Sequence, residues 1–179
     1  MENTKLSSST TVARYKELVA NNNRQALGQF IVERFDERYF RPINDSLSKH
    51  GFSTLAVACL VIESLESFYQ GRADTRGNSR KIFRDFLARN TPLKVLGGGT
   101  DWFYTDIRCG ILHQSESRGG WRVLRSGPLL DMSAKAINAT KALHALKQLV
   151  QQYAAQIQTD EVLWRNFKKK MVAVCENCR

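Results

Sequence analysis

The segment Arg108-Cys-Gly-Ile-Leu-His113 carries the residue types with the most specific chemistry in this 179-residue chain. An imidazole can take a proton from a ribose 2′-hydroxyl or give one to a leaving 5′-oxygen near neutral pH. A guanidinium is always charged, and its fixed fork matches a phosphate and stabilises the charge that develops on it. Arg108 and His113 are therefore candidate catalytic residues for metal-independent cleavage of RNA to a 2′,3′-cyclic phosphate and a 5′-hydroxyl.

The same pair also has a purely structural interpretation. An arginine and a histidine five residues apart on a helix can serve only to satisfy buried carbonyl groups, and Asp106 is a nearby ion-pair partner for either one. Spacing alone leaves both interpretations open.

The helix that carries the pair is predicted over residues 102–114, and a helical wheel divides it into two apolar sides. At about 100° per residue, one side faces the core with Phe103, Ile107 and Ile111. Arg108 and His113 flank the opposite side, which is also apolar because of Trp102, Cys109 and Leu112. A helix that is apolar on two sides is normally covered on both. The second side is thus either central in the monomer or the interface of a two-fold dimer that brings two Arg/His pairs together.

The segment Phe103-Tyr-Thr-Asp-Ile-Arg-Cys-Gly-Ile-Leu-His-Gln-Ser-Glu116 resembles the core of HEPN-domain proteins. The signature of that family is an arginine, four to six residues and then a histidine, near the end of a helix in a small helical bundle. By this resemblance Arg108 is the motif arginine and His113 the motif histidine. The resemblance extends over about residues 55–157 and implies an all-α, HEPN-like helical bundle.

The resemblance also implies a function. HEPN proteins are widely metal-independent endoribonucleases without a cofactor, and two motifs form one composite site in a homodimer. Many act as toxins or antiviral-defence effectors, which implies a cognate antitoxin as a further partner. Cys109 stands where the family often has a polar residue. This departure favours an alternative, a catalytically inactive HEPN-like module that binds RNA, a nucleotide or a protein partner. A third interpretation is a purely structural helical protein whose basic face binds an acidic partner.

The charge of the chain agrees with an anionic partner. The 27 Lys and Arg residues exceed the 17 Asp and Glu residues, which gives a formal net charge of +10. Such a field attracts polyanions, of which RNA and DNA are the commonest in cells, although an anionic membrane surface or mere solubility would use the same charge.

Four arginines are the predicted RNA-binding residues. Arg118 and Arg122 follow the motif and, with Trp121, predict an approach for single-stranded RNA. Arg80 and Arg84 lie in the basic stretch 72–89 and predict contacts with the RNA backbone. A solvated surface is the alternative for each of them. Glu63 and Glu66 are expected either to orient Arg108 or to cap the central helix.

The remaining patterns predict a cytoplasmic protein without a membrane segment or a metal site. Residues 1–11 are polar and lack the apolar stretch of a secretory signal. The longest apolar run, residues 55–62, is far shorter than the roughly 20 residues that span a bilayer. Cys175 and Cys178 have the spacing of half a zinc site, but no second half exists.

Apolar periodicity and breaker residues predict the elements that position the motif. Residues 1–10 are expected to be a flexible segment, 11–174 a single helical domain, and 175–179 a flexible tail. A central helix is predicted over residues 53–69, a long helix over 134–157, and a hinge at Gly97–Gly99. The only predicted β element is a short hairpin near residues 121–132, formed by residues 121–124 and 129–132.

Overall fold

A computed structural model describes residues 2–48, 50–98 and 100–178, and about two thirds of the chain is helical. The α-helices of the described part are α1 (Val12–Ala20), α2 (Arg24–Phe35), α3 (Arg41–Asn44), α4 (Gly51–Gln70), α5 (Ser79–Arg89), α6 (Cys109–Gln114), α7 (Ala139–Thr159) and α8 (Glu161–Glu176). Two π-helical segments, Asp36–Phe40 and Phe103–Arg108, precede α3 and α6, and a 3₁₀ helix spans Thr91–Leu96. The predicted mostly helical fold class is confirmed.

Residues 11–174, expected to be a single domain, divide between two compact units. Unit 1 comprises residues 1–42, 65–74 and 148–179, and unit 2 comprises residues 43–64 and 75–147. The boundaries fall inside α4 and α7, so each of these helices contributes to both units. The whole Arg/His motif lies in unit 2.

Unit 1 has an aromatic core centred on Phe68. Its ring lies 5.9 Å from that of Phe35, 6.2 Å from that of Tyr153 and 6.1 Å from that of Phe167. Helices α2 and α7 approach closely at Gly28, where a Cβ atom would lie 2.7 Å from the Ala154 carbonyl oxygen. Only glycine permits that approach without a backbone shift.

The segment expected to be flexible at the N-terminus makes defined contacts in unit 1. Lys5 forms an antiparallel bridge with Thr11, and the Leu6 side chain is fully buried. The hydroxyl groups of Ser7 and Ser8 each donate a hydrogen bond of 2.7 Å to the Glu33 carboxylate. At the other end, α8 continues through Glu176, into the predicted tail.

Helix α4 is long and apolar enough to cross a bilayer by length and composition. More than half of its apolar stretch is buried within the protein, and Leu55, Val61 and Leu65 are fully buried. It therefore has the burial of a core helix, as expected for the apolar run at its centre.

The predicted hairpin near residues 121–132 is wrong in its pairing. Strands β1 (Arg122–Leu124) and β2 (Leu130–Asp131) both form, but they flank a third strand, β3 (Ala136–Asn138), in the order β1-β3-β2. β1 pairs with β3 in parallel and β2 pairs with β3 antiparallel. All three residues of β3 are buried, whereas β1 and β2 are partly exposed, so the most apolar segment takes the central place.

The long helix expected over residues 134–157 begins later, at Ala139. The Asn138 side chain accepts a hydrogen bond from the Lys141 amide at 3.0 Å, which is the N-cap interaction that asparagine favours. Residues 136–138 therefore serve as a strand instead of a first helical turn. Gly97 and Gly98 do interrupt the helices as predicted, while Gly99 lies outside the described residues.

Candidate functional site

The motif helix is not a regular α-helix throughout. Phe103–Arg108 is π-helical, and the Cys109 amide donates to the Tyr104 carbonyl, five residues back. The Thr105 hydroxyl donates to the Asp101 carbonyl at 3.1 Å. Phe103 and Ile107 are buried, as predicted for the core-facing side, whereas Ile111, the third residue predicted there, is only half-buried. A π-helical turn of this kind is frequent at functional sites because it redirects the side chains that follow.

Gly110, in the middle of the motif, allows the following loop to fold back over the helix. A Cβ atom at this position would lie 2.5 Å from the Glu116 carbonyl oxygen. The Arg118 amide donates to the Asp106 carbonyl at 2.8 Å, and Ser115 takes a left-handed conformation to turn the chain. The sequence interpretation of the motif overlooked this role, although an isolated glycine in a helical pattern is a signal of close backbone approach.

Arg108 is held by Glu63 of α4. Its Nε atom donates to Glu63 Oε1 at 2.9 Å, and a terminal guanidinium nitrogen lies 2.8 Å from the same oxygen. The two side chains are only 19% and 17% exposed. Burial alone would lower the pKa of Arg108, but the charge and hydrogen bond of Glu63 outweigh burial and raise it. Arg108 is therefore a fixed, permanent cation.

Hydroxyl groups hold Glu63 in turn. Thr75 Oγ1 donates to Glu63 Oε2 at 2.9 Å, and Ser79 Oγ lies 3.5 Å from the same oxygen. The sequence left open whether Glu63 and Glu66 orient Arg108, and in the structure Glu63 does so. Glu66 is fully buried in unit 1, where it accepts a hydrogen bond of 2.6 Å from Gln70.

Tyr104 links Arg108 to one of the predicted RNA-binding arginines. The guanidinium carbons of Arg108 and Arg80 lie 5.6 Å and 5.7 Å from the centroid of the Tyr104 ring. Both are cation–π distances. Burial raises the pKa of the Tyr104 phenol, and the neighbouring Cys109 thiol raises it further. Tyr104 was missed in the sequence, although an aromatic residue four positions before an arginine on a helix is a signal for such a contact.

Arg80 and Arg84 converge on Asp101. Arg84 makes two hydrogen bonds to its carboxylate, at 2.7 Å and 3.1 Å, and Arg80 lies 3.8 Å away. The hydrogen bond from Arg84 holds the pKa of Asp101 below its usual value. One carboxylate thus orders two arginines beside Tyr104 and leaves a net positive charge there.

His113 has a different environment from Arg108. Its side chain is exposed, and it forms no hydrogen bond or ion pair with any residue that the structure describes. No direct interaction joins Arg108 to His113 within the described residues. The imidazole is therefore accessible to solvent, and to a substrate or a second copy of the chain.

The apolar outward side of the motif helix is only partly covered by its own chain. Trp102 stacks on Trp121 with ring centroids 4.0 Å apart and an interplanar angle of 16°. Cys109 is half-buried, and Leu112 is 58% exposed. The two arginines that follow the motif are engaged nearby: Arg118 donates to Gln114 at 3.0 Å, and Arg122 donates to the Ala134 carbonyl at 3.1 Å.

Within the described residues, no three His, Cys, Asp or Glu side chains form a group that could hold a metal ion. No protein-family model, no curated protein and no solved structure matches the chain. The function is therefore inferred from the chain's own residues and from the resemblance of its motif.

Proposed function

We propose that this chain is a metal-independent endoribonuclease of HEPN type, which cleaves RNA at a composite site in a homodimer. Arg108 and His113 are the catalytic residues. A fixed cation and an accessible imidazole on one short helix are the observation that carries the proposal. A toxin or antiviral-defence role with a cognate antitoxin, and a cytoplasmic location, follow from the resemblance and from sequence patterns alone and stay predictions.

The state of Arg108 supports its role. Glu63 and the Tyr104 ring fix the guanidinium, so little reorganisation is needed when a phosphate binds. Nε and one terminal nitrogen of Arg108 both contact a single oxygen, Glu63 Oε1. A guanidinium has five N–H donors, more than this contact uses, so others can bind a phosphate oxygen.

The exposure of His113 supports a role in proton transfer. One imidazole takes the proton of a ribose 2′-hydroxyl, whose oxygen attacks the adjacent phosphorus. A second imidazole gives a proton to the 5′-oxygen as its bond to phosphorus breaks. The products are a 2′,3′-cyclic phosphate and a 5′-hydroxyl, and Arg108 stabilises the charge on the phosphoryl oxygens during both steps.

The geometry of the helix favours a site made by two chains. Five residues at about 100° each place His113 about 140° around the helix from Arg108. One helix therefore does not direct both side chains to the same phosphate, whereas two helices related by a two-fold axis can. The exposed Leu112 and half-buried Cys109 lie between the two residues and form the proposed interface.

One observation favours the alternative, an inactive module that binds RNA, a nucleotide or a protein partner. The carboxylate of Glu63 already compensates the charge of Arg108. An ion pair of this kind is also typical of a purely structural arginine.

The test uses purified protein, total RNA and EDTA, with analysis of the ends of the fragments. We expect cyclic-phosphate and 5′-hydroxyl ends from the wild type. His113→Ala should lower the rate by about 10²–10⁴-fold, the usual contribution of acid–base catalysis, without a change in melting temperature. His144→Ala is the matched control, because His144 is also exposed on a helix but lies in α7. A His113→Ala protein with full activity per folded molecule would falsify the catalytic assignment.

A further inference from the structure

A cleft of about 330 Å³ lies in unit 2 next to the site, between α5, the 3₁₀ helix and the start of the motif helix. We call it the α5 cleft. Its apolar lining comprises Phe83, Leu87, Leu96 and Phe103. The polar groups at its surface are Arg84, Lys94, Thr100 and the carboxylate of Asp101, so two cations face one anion there. The backbone of Gly97 and Gly98 forms part of its wall.

The size of the cleft limits what it can hold. Small-molecule sites span roughly 300–1,000 Å³, and the α5 cleft is at the lower limit. It is therefore suited to one flat ring system with its substituents and too small for a helix of a partner protein.

The charges around the cleft indicate an anionic ligand. Lys94 is exposed and forms no ion pair with any described residue, so its ammonium group is available. The Arg84 side chain is 62% exposed, although Asp101 holds one edge of its guanidinium. An apolar floor with cations at the surface fits a base that carries a phosphate.

Tyr104 makes the cleft continuous with Arg108. Its side chain is a wall of the cleft, and the same ring lies 5.6 Å from the Arg108 guanidinium carbon. A base in the cleft and a phosphate at Arg108 would then both lie next to Tyr104. A base and a phosphate that share one neighbouring side chain can belong to the same nucleotide.

We propose that the α5 cleft binds the base of one ribonucleotide of the RNA, the nucleotide whose phosphate Arg108 contacts. This inference rests on the proposed function, and it makes the cleft the part of the site that selects the base next to the cleavage point. The exposed Thr100 hydroxyl, which forms no hydrogen bond with another described residue, recognises the edge of the base.

The variant that tests the cleft is Ala88→Trp. Ala88 is exposed and lines the cleft, so an indole there fills the cleft without disturbing the core. Ala155→Trp is the matched control, because Ala155 is an equally exposed helical alanine in α7. The full-length ¹⁵N-labelled proteins are titrated with the 3′- and 5′-monophosphates of the four ribonucleosides, and with ribose 5-phosphate as the probe that lacks a base.

We expect nucleotides to shift the amide signals of Gly97 and Gly98 in the wild type and in Ala155→Trp, with at least one base bound more tightly than the others. In Ala88→Trp the Kd should rise at least tenfold, and cleavage sites in RNA should lose their base preference. Binding of ribose 5-phosphate equal to that of the nucleotides would overturn the inference, because the base would then contribute nothing.

The same experiment separates this inference from the proposed function. If no variant cleaves RNA but Ala88→Trp abolishes nucleotide binding, the cleft is a base site and the ribonuclease proposal is wrong. If the wild type cleaves RNA and Ala88→Trp keeps its affinity and base preference, the ribonuclease proposal stands and the cleft is not part of it.

Discussion

The two units use the same chemical groups in two different ways. In unit 1, the Glu33 carboxylate accepts hydrogen bonds from the hydroxyls of Ser7, Ser8 and Ser9. We call this contact between Glu33 and the three serines the N-terminal anchor. Arg34, the neighbour of Glu33 in sequence, donates to the Leu6 carbonyl at 2.5 Å. In unit 2, the Glu63 carboxylate accepts from hydroxyls as well, but it also binds Arg108 directly.

The pKa shifts of the two arginines have opposite directions. Burial and the neighbouring charge of Arg38 lower the pKa of Arg34. Burial acts in the same direction on Arg108, but the Glu63 carboxylate reverses it. Arg34 holds a backbone segment, and it forms no ion pair with any residue that the structure describes. Arg108 is compensated and fixed beside an aromatic ring, which is how a protein positions a guanidinium for an anion. Under the proposed function, the difference separates an arginine that stabilises the fold from one that binds an anion.

The largest expected effect compares the two arginines directly. Arg108→Ala should reduce RNA cleavage by about 100-fold or more per folded molecule, because it removes the charge that stabilises the transition state. Arg34→Ala should leave cleavage per folded molecule unchanged and lower the free energy of unfolding by about 0.5–1.5 kcal/mol, since the Leu6 carbonyl loses one donor and keeps a second, Arg38, at 3.2 Å. Single-turnover rates and denaturant unfolding of both proteins provide the measurement.

A double variant adds a check on the shared site. Because Arg108 and His113 serve one transition state, the loss in Arg108→Ala/His113→Ala should be smaller than the product of the two single losses. Fully multiplicative losses of activity would indicate that Arg108 and His113 act in separate processes. Equal losses of activity in Arg34→Ala and Arg108→Ala would contradict the comparison above, because the two arginines would then not differ in role.

The sequence predicted the helices better than it predicted the contacts that support the site. Periodicity placed the central helix and the motif helix correctly, because a long amphipathic or apolar run has few other ways to fold. It did not predict strand β3, since Ala136-Ile137-Asn138 is too short to show a period. It identified Glu63 only as one of two alternatives, because the contact with Arg108 joins residues 45 positions apart. The spacing of Tyr104 and Arg108 was a local signal that was overlooked, whereas its contact with Arg80 joins two separate helices and leaves no local signal.

A smaller effect is expected when the charge of Glu63 is removed but its shape is kept. Glu63→Gln retains an oxygen for Arg108 and a group that can pair with the Thr75 hydroxyl. We expect kcat to fall about tenfold, which corresponds to ~1.4 kcal/mol, while KM changes little, because Arg108 remains a cation but is held less firmly. Glu33→Gln is the matched variant in unit 1 and should leave kcat unchanged. A fall in melting temperature of Glu63→Gln with normal kcat would assign Glu63 a structural role only.

The smallest expected effect is the acid sensitivity of the N-terminal anchor. Burial favours the protonated form of Glu33, but hydrogen bonds from Ser9, Ser8 and Ser7 outweigh it and hold the pKa of this carboxyl below its ordinary value. A carboxylate whose pKa is lowered by folding stabilises the protein above its unfolded-state pKa, and this contribution is lost as the pH falls through the folded-state pKa. Because Glu33 is partly exposed, solvent screening limits the contribution to about 1 kcal/mol, or about 2–4 °C in melting temperature.

The difference in melting temperature between the wild type and Glu33→Gln should therefore be constant near pH 7 and shrink between about pH 5 and pH 3. If the difference between the wild type and Glu33→Gln does not change down to pH 3, the serine hydroxyls do not stabilise the charged form of Glu33, and the two units do not differ in the way described.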